Sequence, residues 1–146
     1  MKEELIKHFN NLELPSVVQN WLLNLWDVIQ GLDDWYDNDK VTDDIKQEVI
    51  YKTLVSLPAN PFFLDNAENL LPVLNLLVGQ WVAANKMEKE GNPTEVSFVW
   101  RATYYSVVLT CVQLIHGFNG TSKVADYVAK MYGESYEDYL KEFTNA

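Results

Sequence analysis

The chain has few of the residues that usually build zinc, redox or phosphate sites. It contains one cysteine and two histidines among 146 residues. These are too few to support a zinc cluster or a cysteine nucleophile paired with a histidine. The lone cysteine, Cys111, cannot form a disulfide within the chain. Glycine and proline are also sparse, at six and five, and no glycine-rich phosphate loop is present.

Positive charge is scarce as well. The chain has 11 lysines and arginines against 21 aspartates and glutamates, which gives a net charge of -10. A protein that binds a phosphate backbone needs clustered lysine and arginine, so nucleic-acid binding is disfavoured. An acidic surface of this kind instead favours a basic protein partner or an imitation of DNA.

Long apolar runs are missing too. The longest, "YYSVVLTCVQLI", is interrupted by serine, threonine and glutamine, which is typical of a buried helix rather than of a membrane span. The first residues, "MKEELIKHF", are too charged for a signal peptide. The sequence therefore predicts a protein of the cytoplasm without a membrane segment.

The residues that are abundant indicate a helical fold. Hydrophobic residues make up 48% of the chain and aromatic residues 13%, enough for a substantial core at this length. Apolar residues recur at helical spacing and no stretch alternates as a strand does. We predict a single all-α domain over residues 1–146, a bundle of five to seven helices. The predicted helices cover residues 2–9, 17–36, 43–57, 65 or 69 to 91, 95–117, 122–132 and 136–143. A capping box formed by Ser16 and Gln19 is predicted before the second helix, and a Thr94 cap before the fifth.

The second predicted helix ends in the stretch "GLDDWYDNDK". Asp33 and Asp37 lie one turn apart at the flank of an apolar arc, whereas Asp27 and Asp34 fall opposite that arc and are expected to be solvated. The arc consists of Trp21, Leu25, Val28, Ile29 and Leu32. Acidic side chains at a helix C-terminus repel one another and meet the negative end of the helix dipole. Bound Mg²⁺ would offset this repulsion, and a solvated helix end is the alternative.

The same stretch can be compared directly with the calcium-binding loop of an EF-hand. If the loop began at Asp37, Val41 would stand where an oxygen ligand is needed. Thr42 would then stand where the EF-hand requires glycine. The EF-hand is therefore rejected.

Two later helices each carry charge on an apolar face. Asn85 and Glu88 follow Trp81 on a stripe that also contains Leu74, Leu77, Val78 and Ala84. Arg101, the only arginine, projects into an apolar arc beside Tyr105. Because a lone buried charge is costly, we predict that these groups meet. The alternative is that each side chain reaches past the core into water. The predicted polar pocket contains Asp33, Asp37, Asn85, Glu88 and Arg101, with Trp81 and Tyr105 in its wall.

The acidic stretch also carries a family resemblance. "VIQGLDDWYDND" resembles the DDxxD helix of the isoprenoid diphosphate and terpenoid synthases, an all-α fold that binds diphosphates through Mg²⁺. The resemblance rests on Asp33, Asp34 and Asp37 and implies that these three residues hold Mg²⁺. The chain is also similar to small phage-encoded helical proteins of unassigned function, through "WVAANKME", "WRATYYSVVLTCVQLIHG" and "YEDYLKEF", which implies a phage origin. Against the synthases, no second aspartate-rich helix is present and the basic residues that hold a diphosphate are nearly absent.

Three hypotheses for function follow. The first is a Mg²⁺-dependent pocket that binds or acts on a small diphosphate, with Arg101 neutralising the phosphate. The second is a non-enzymatic, acidic interaction protein, such as a phage accessory or host-inhibitory factor. The third is a structural homo-oligomer, for instance a homodimer joined by exposed aromatic side chains such as Trp35, Tyr136 and Tyr139.

Overall fold

A computed structural model describes residues 2–37 and 39–144. Within these residues the fold is all α, with no strand, and contains seven α-helices of six residues or more. This confirms the predicted fold class and helix number. The helices, including one short α-helical turn, are α1 Lys2–Asn11, α2 Ser16–Tyr36, α3 Asp43–Tyr51, α4 Leu57–Ala59, α5 Pro61–Lys89, α6 Glu95–Trp100, α7 Thr103–Lys130 and α8 Tyr136–Thr144. None of the helices in the described part of the chain has the length and apolar character of a membrane span.

The described residues group into two compact units, one up to Ala67 and one from Glu68. Each is described separately below. That residues 1–146 form one domain stays a prediction.

The first unit packs around Trp21 on α2. This side chain is fully buried, stacks on Phe63 with ring centroids 5.8 Å apart and meets Phe62 edge-on at 6.3 Å. The amide of Asn60 donates to the Val17 carbonyl at 3.0 Å, which ties the start of α5 to α2. Other buried apolar residues of this unit are Leu5, Phe9, Val18, Leu22, Leu25 and Val28.

Between α3 and α4 the helix widens into a π-helical segment, Lys52–Ser56. The helical spacing of residues 43–57 predicted a continuous α-helix here, because a π-helical segment has no sequence signature of its own. Such segments are uncommon and occur frequently at functional sites.

The second unit packs around α7. Its buried residues include Leu70, Leu77 and Ala84 from α5, and Tyr104, Val107, Val108, Cys111 and Val112 from α7. The helix that begins at Thr103 thus supplies the largest share of the buried residues described for this unit. Gly117, at φ 75°, interrupts α7 where the sequence predicted a helix end.

Several local predictions were wrong. Ser16 does not form the predicted capping box, because α2 begins one residue earlier, after Pro15, and the Gln19 side chain donates to the Leu14 carbonyl. The helix predicted from Thr94 to Gly117 is broken, since α6 ends at Trp100 and α7 begins at Thr103. Its Thr94 cap is confirmed.

The apolar faces also differ from prediction at their edges. Leu32 is 38% exposed and Val78 is 57% exposed, although both were assigned to buried stripes. Tyr139 was expected to be exposed and is only 3% exposed. A helical projection shows which residues share a face, but where a helix is apolar nearly all round it cannot show which face the neighbouring helices cover.

Candidate functional sites

The three predicted metal ligands lie at the end of α2. Asp33 is partly buried, whereas Asp34 and Asp37 are exposed. Within residues 2–37 and 39–144, no group of three or more acidic, histidine or cysteine side chains has an arrangement that could hold a metal ion. Magnesium binding by these residues stays a prediction.

Asp34 belongs to a polar hollow of about 260 Å³ in the first unit. The charged residues that line it are Lys2, Asp27, Asp34, Glu48 and Lys52. Asp27, which the sequence placed in solvent, is instead the centre of an ion-pair network and has a side chain only 17% exposed. Its carboxylate lies 2.6 Å from the Lys52 ammonium and 2.7 Å from that of Lys2.

The backbone arrangement of this hollow depends on a close approach of two helices. Gly31 is buried, and a Cβ added to it would lie 2.3 Å from Cγ2 of Val49 on α3. Asp27, Gly31 and Asp34 share one face of α2 by their spacing. The close contact at Gly31 therefore places both aspartates in the wall of the hollow, which Lys52, the first residue of the π-helical segment, also lines.

Lys52 is held by two carboxylates. It pairs with Asp27 and, at 2.6 Å, with Glu48 one turn earlier. Burial acts to lower the Lys52 pKa, but the hydrogen bonds to Asp27 and Glu48 outweigh it, so the pKa is raised above its ordinary value. The ammonium group stays charged at neutral pH.

In the second unit, Arg101 pairs with Glu88 as predicted. Its guanidinium donates through Nε to one oxygen of Glu88 at 2.9 Å and through Nη2 to the other. Nη2 also donates to the Asn85 side-chain oxygen. The Arg101 and Glu88 side chains are 17% and 12% exposed, so water competes little for this bidentate pair.

Tyr139 extends this network, and sequence reasoning missed it. Its hydroxyl donates to Glu88 at 2.7 Å and lies 2.6 Å from the hydroxyl of the fully buried Ser97. Ser97 in turn donates to the Thr94 carbonyl and accepts from the Thr94 N–H. Burial raises the pKa of Tyr139 to about 12, and the hydrogen bond with Glu88 and its charge act in the same direction, whereas the hydrogen bond with Ser97 acts to lower it. The apolar spacing in "YEDYLKEF" is the sequence signal from which a buried face, and so the burial of Tyr139, could have been predicted.

A second acidic group lies near this network. Tyr132 donates to Glu134 at 3.0 Å, and burial, with the Glu134 charge, raises the Tyr132 pKa. Burial also raises the pKa of Glu142, as do a hydrogen bond with Glu134 and the charges of Glu134 and Glu88. The charge of Arg101, which pairs with Glu88, acts to lower the Glu142 pKa but does not offset these effects.

Asn85 is 2% exposed, and its Nδ2 has no hydrogen-bond partner among the described residues. Trp81, predicted to line the same pocket, is half-buried on α5. The structure thus brings together Asn85, Glu88 and Arg101. Asp33 and Asp37 belong to the first unit, and a pocket that unites all five stays a prediction.

Tyr105, the other predicted wall residue, lines an apolar groove of about 470 Å³ in the second unit. Burial raises its pKa, so its hydroxyl is neutral at physiological pH. None of the described residues that line the groove is charged. The groove is bounded mainly by Leu76 on α5, Phe98, Val99 and Trp100 on α6, and Tyr105 and Leu109 on α7, with Thr103 bonded to Gln80 at 2.6 Å in its wall.

The fold and these sites define an acidic, all-α protein with a polar hollow in its first unit and an apolar groove in its second. Comparison with protein-family models, with curated proteins and with solved structures finds no match to this chain.

Proposed function

We propose that the chain is a non-catalytic interaction protein that receives an apolar segment of another protein in the groove of its second unit. The observation that carries this proposal is the groove, which has the volume of a typical ligand site and no charged residue in its described lining. Leu76 and Val99, two of its lining residues, are 50% and 60% exposed. An open groove with such a rim suits a peptide segment better than an enclosed small molecule.

The polar groups near the groove support binding rather than catalysis. Tyr105 is the titratable residue in the described lining, and its raised pKa makes it a poor base at neutral pH. Arg101 is engaged by Glu88 and Asn85, so a phosphate would have to displace a bidentate carboxylate to reach it. The net charge of -10 favours a basic partner around the apolar contact.

A neutral, environment-sensitive dye such as Nile red tests whether the groove takes up apolar groups. The native chain should enhance its emission, and Val99→Asp should remove most of that enhancement. Leu54→Asp is the matched control, because Leu54 is 71% exposed and belongs to the first unit. Equal emission from all three proteins would contradict the proposal. A photo-crosslinking residue placed at position 99, and in parallel at position 54, then identifies the partner.

We retain magnesium and diphosphate binding as a second candidate, because the polar hollow contains Asp34 together with Lys2 and Lys52. The sequence alone did not predict that these lysines lie near Asp34. Carboxylates suit Mg²⁺, and lysines suit phosphate oxygens. Calorimetric titration with Mg²⁺ and inorganic pyrophosphate tests it. Heat should be released by the native chain and by Asp37→Asn, which lies outside the described lining, and lost in Asp34→Asn. Identical traces for all three would reject this candidate.

A further inference from the structure

Helix α5 presents an exposed apolar face that the groove does not use. No charged residue occurs between Glu68 and Lys86. Leu71, Val78 and Val82 are 54%, 57% and 54% exposed. Together with the exposed Asn75, they follow the spacing i, i+4, i+7, i+11, which places them on one face over three turns. A helix this apolar on both faces is usually covered on both.

Both ends of this face are charged, with opposite signs. Glu68 and Lys86 are exposed and lie 18 positions apart, which is about five turns at 3.6 residues per turn. They therefore project on the same flank of the face, one at each end. Between them the face carries no charge that would have to be desolvated.

This arrangement of charges is complementary to a second copy of the same helix that runs in the opposite direction. When two copies of a helix pack antiparallel, a given flank of one helix lies against the same flank of the other. The N-terminal end of each helix then lies beside the C-terminal end of its partner. Glu68 of one copy then lies beside Lys86 of the other, at both ends of the contact, while Val78 lies near the centre. A parallel pair would instead bring like charges level with each other.

We infer that the chain forms an antiparallel homodimer through the α5 face made by Leu71, Asn75, Val78 and Val82. Two copies that each carry a charge of -10 repel one another, and an uncharged face with attractive ends is where they approach at least cost. Leu76, in the groove, projects well away from this face, so the dimer leaves the groove open. One helix on each side makes a small contact, which gives a weak, concentration-dependent dimer.

Sedimentation equilibrium over a range of protein concentrations tests the inference. The native chain should show a monomer–dimer equilibrium, and Val78→Asp should be monomeric throughout. Leu54→Asp, at a first-unit side chain that is 71% exposed, should behave as native. Circular dichroism of each variant checks that it is folded. A native chain that stays monomeric at every concentration overturns the inference.

The charged ends allow a sharper test. Glu68→Lys and Lys86→Glu should each weaken the dimer by about tenfold in Kd, because each places two like-charged pairs at its ends. An equimolar mixture of the two variants should dimerise as the native chain does, since every pair is attractive in the mixed dimer. Failure of the mixture to recover, with both single variants weakened, overturns the antiparallel arrangement.

Discussion

The two units hold their central ion pairs in different surroundings. The Asp27–Lys52 pair opens onto the polar hollow, and its outer members, Lys2 and Glu48, have side chains 47% and 57% exposed. The Glu88–Arg101 pair is instead covered by further polar groups, Tyr139 and Asn85, which are themselves buried.

This difference determines what each pair contributes. When water can replace a lost partner, an ion pair adds little to stability. When a partner is lost from a dry site, the remaining charge stays buried and the cost is several times larger. We therefore expect the second unit to depend on its polar network and the first unit to depend on packing.

The largest expected effect is that of Arg101→Met. It leaves the Glu88 carboxylate buried with the Tyr139 hydroxyl as its remaining donor in the network. The free energy of unfolding should fall by about 3 kcal/mol, measured by urea denaturation. Lys141→Met is the control, because Lys141 is 59% exposed and its ion pairs are long, at 3.7 and 3.8 Å. A similarly small loss in both variants would show that the network is as solvated as the surface.

Gly31→Ala tests whether packing holds the first unit. The new methyl group would lie 2.3 Å from Val49, and overpacking of this kind should cost about 2 kcal/mol. Gly79→Ala on α5 is matched to it, because a Cβ there meets no atom within 4 Å. That variant should be more stable than the native chain by up to about 1 kcal/mol, from helix propensity. Stabilisation by both changes would mean that α2 and α3 can separate freely.

Lys52→Met should have a smaller effect, about 1 kcal/mol, since Asp27 keeps Lys2 as a partner and the Glu48 side chain is 57% exposed. Its pH dependence has a definite sign. The folded pKa of Lys52 is raised, so its stabilising effect is present at neutral pH and is lost as the pH rises past the ordinary lysine value of about 10.4. Thermal unfolding of both proteins should therefore differ at pH 7 and converge at strongly alkaline pH.

Glu142→Gln should have the smallest effect and the opposite sign. Burial and the hydrogen bond with Glu134 raise the Glu142 pKa in the folded chain, so ionised Glu142 slightly destabilises the fold above that pKa. The variant should melt at a slightly higher temperature at pH 7, and the gain should disappear as the pH falls below the ordinary glutamate value of about 4.3. Glu137→Gln, at an 83% exposed side chain on the same helix, should show no such gain.

Much of the fold could be predicted from local chemistry. Helical periodicity gave the helices, a threonine hydroxyl at Thr94 caps α6, and Gly117 interrupts α7 because only glycine adopts its backbone conformation freely. The pairing of Arg101 with Glu88 was predictable for a similar reason. Each charge lies on an apolar face of its own helix, and burial without a partner is too costly.

Tertiary structure alone decided the remaining features. Asp27 and Lys52 are 25 positions apart. The projection of α2 alone placed Asp27 in solvent, and the close contact at Gly31 brings the two helices together. Likewise, Val78 and Leu77 are adjacent aliphatic residues, yet Val78 is exposed and Leu77 is buried. Periodicity is a property of one helix, whereas burial depends on which neighbours cover it, and those contacts join residues that are distant in the chain.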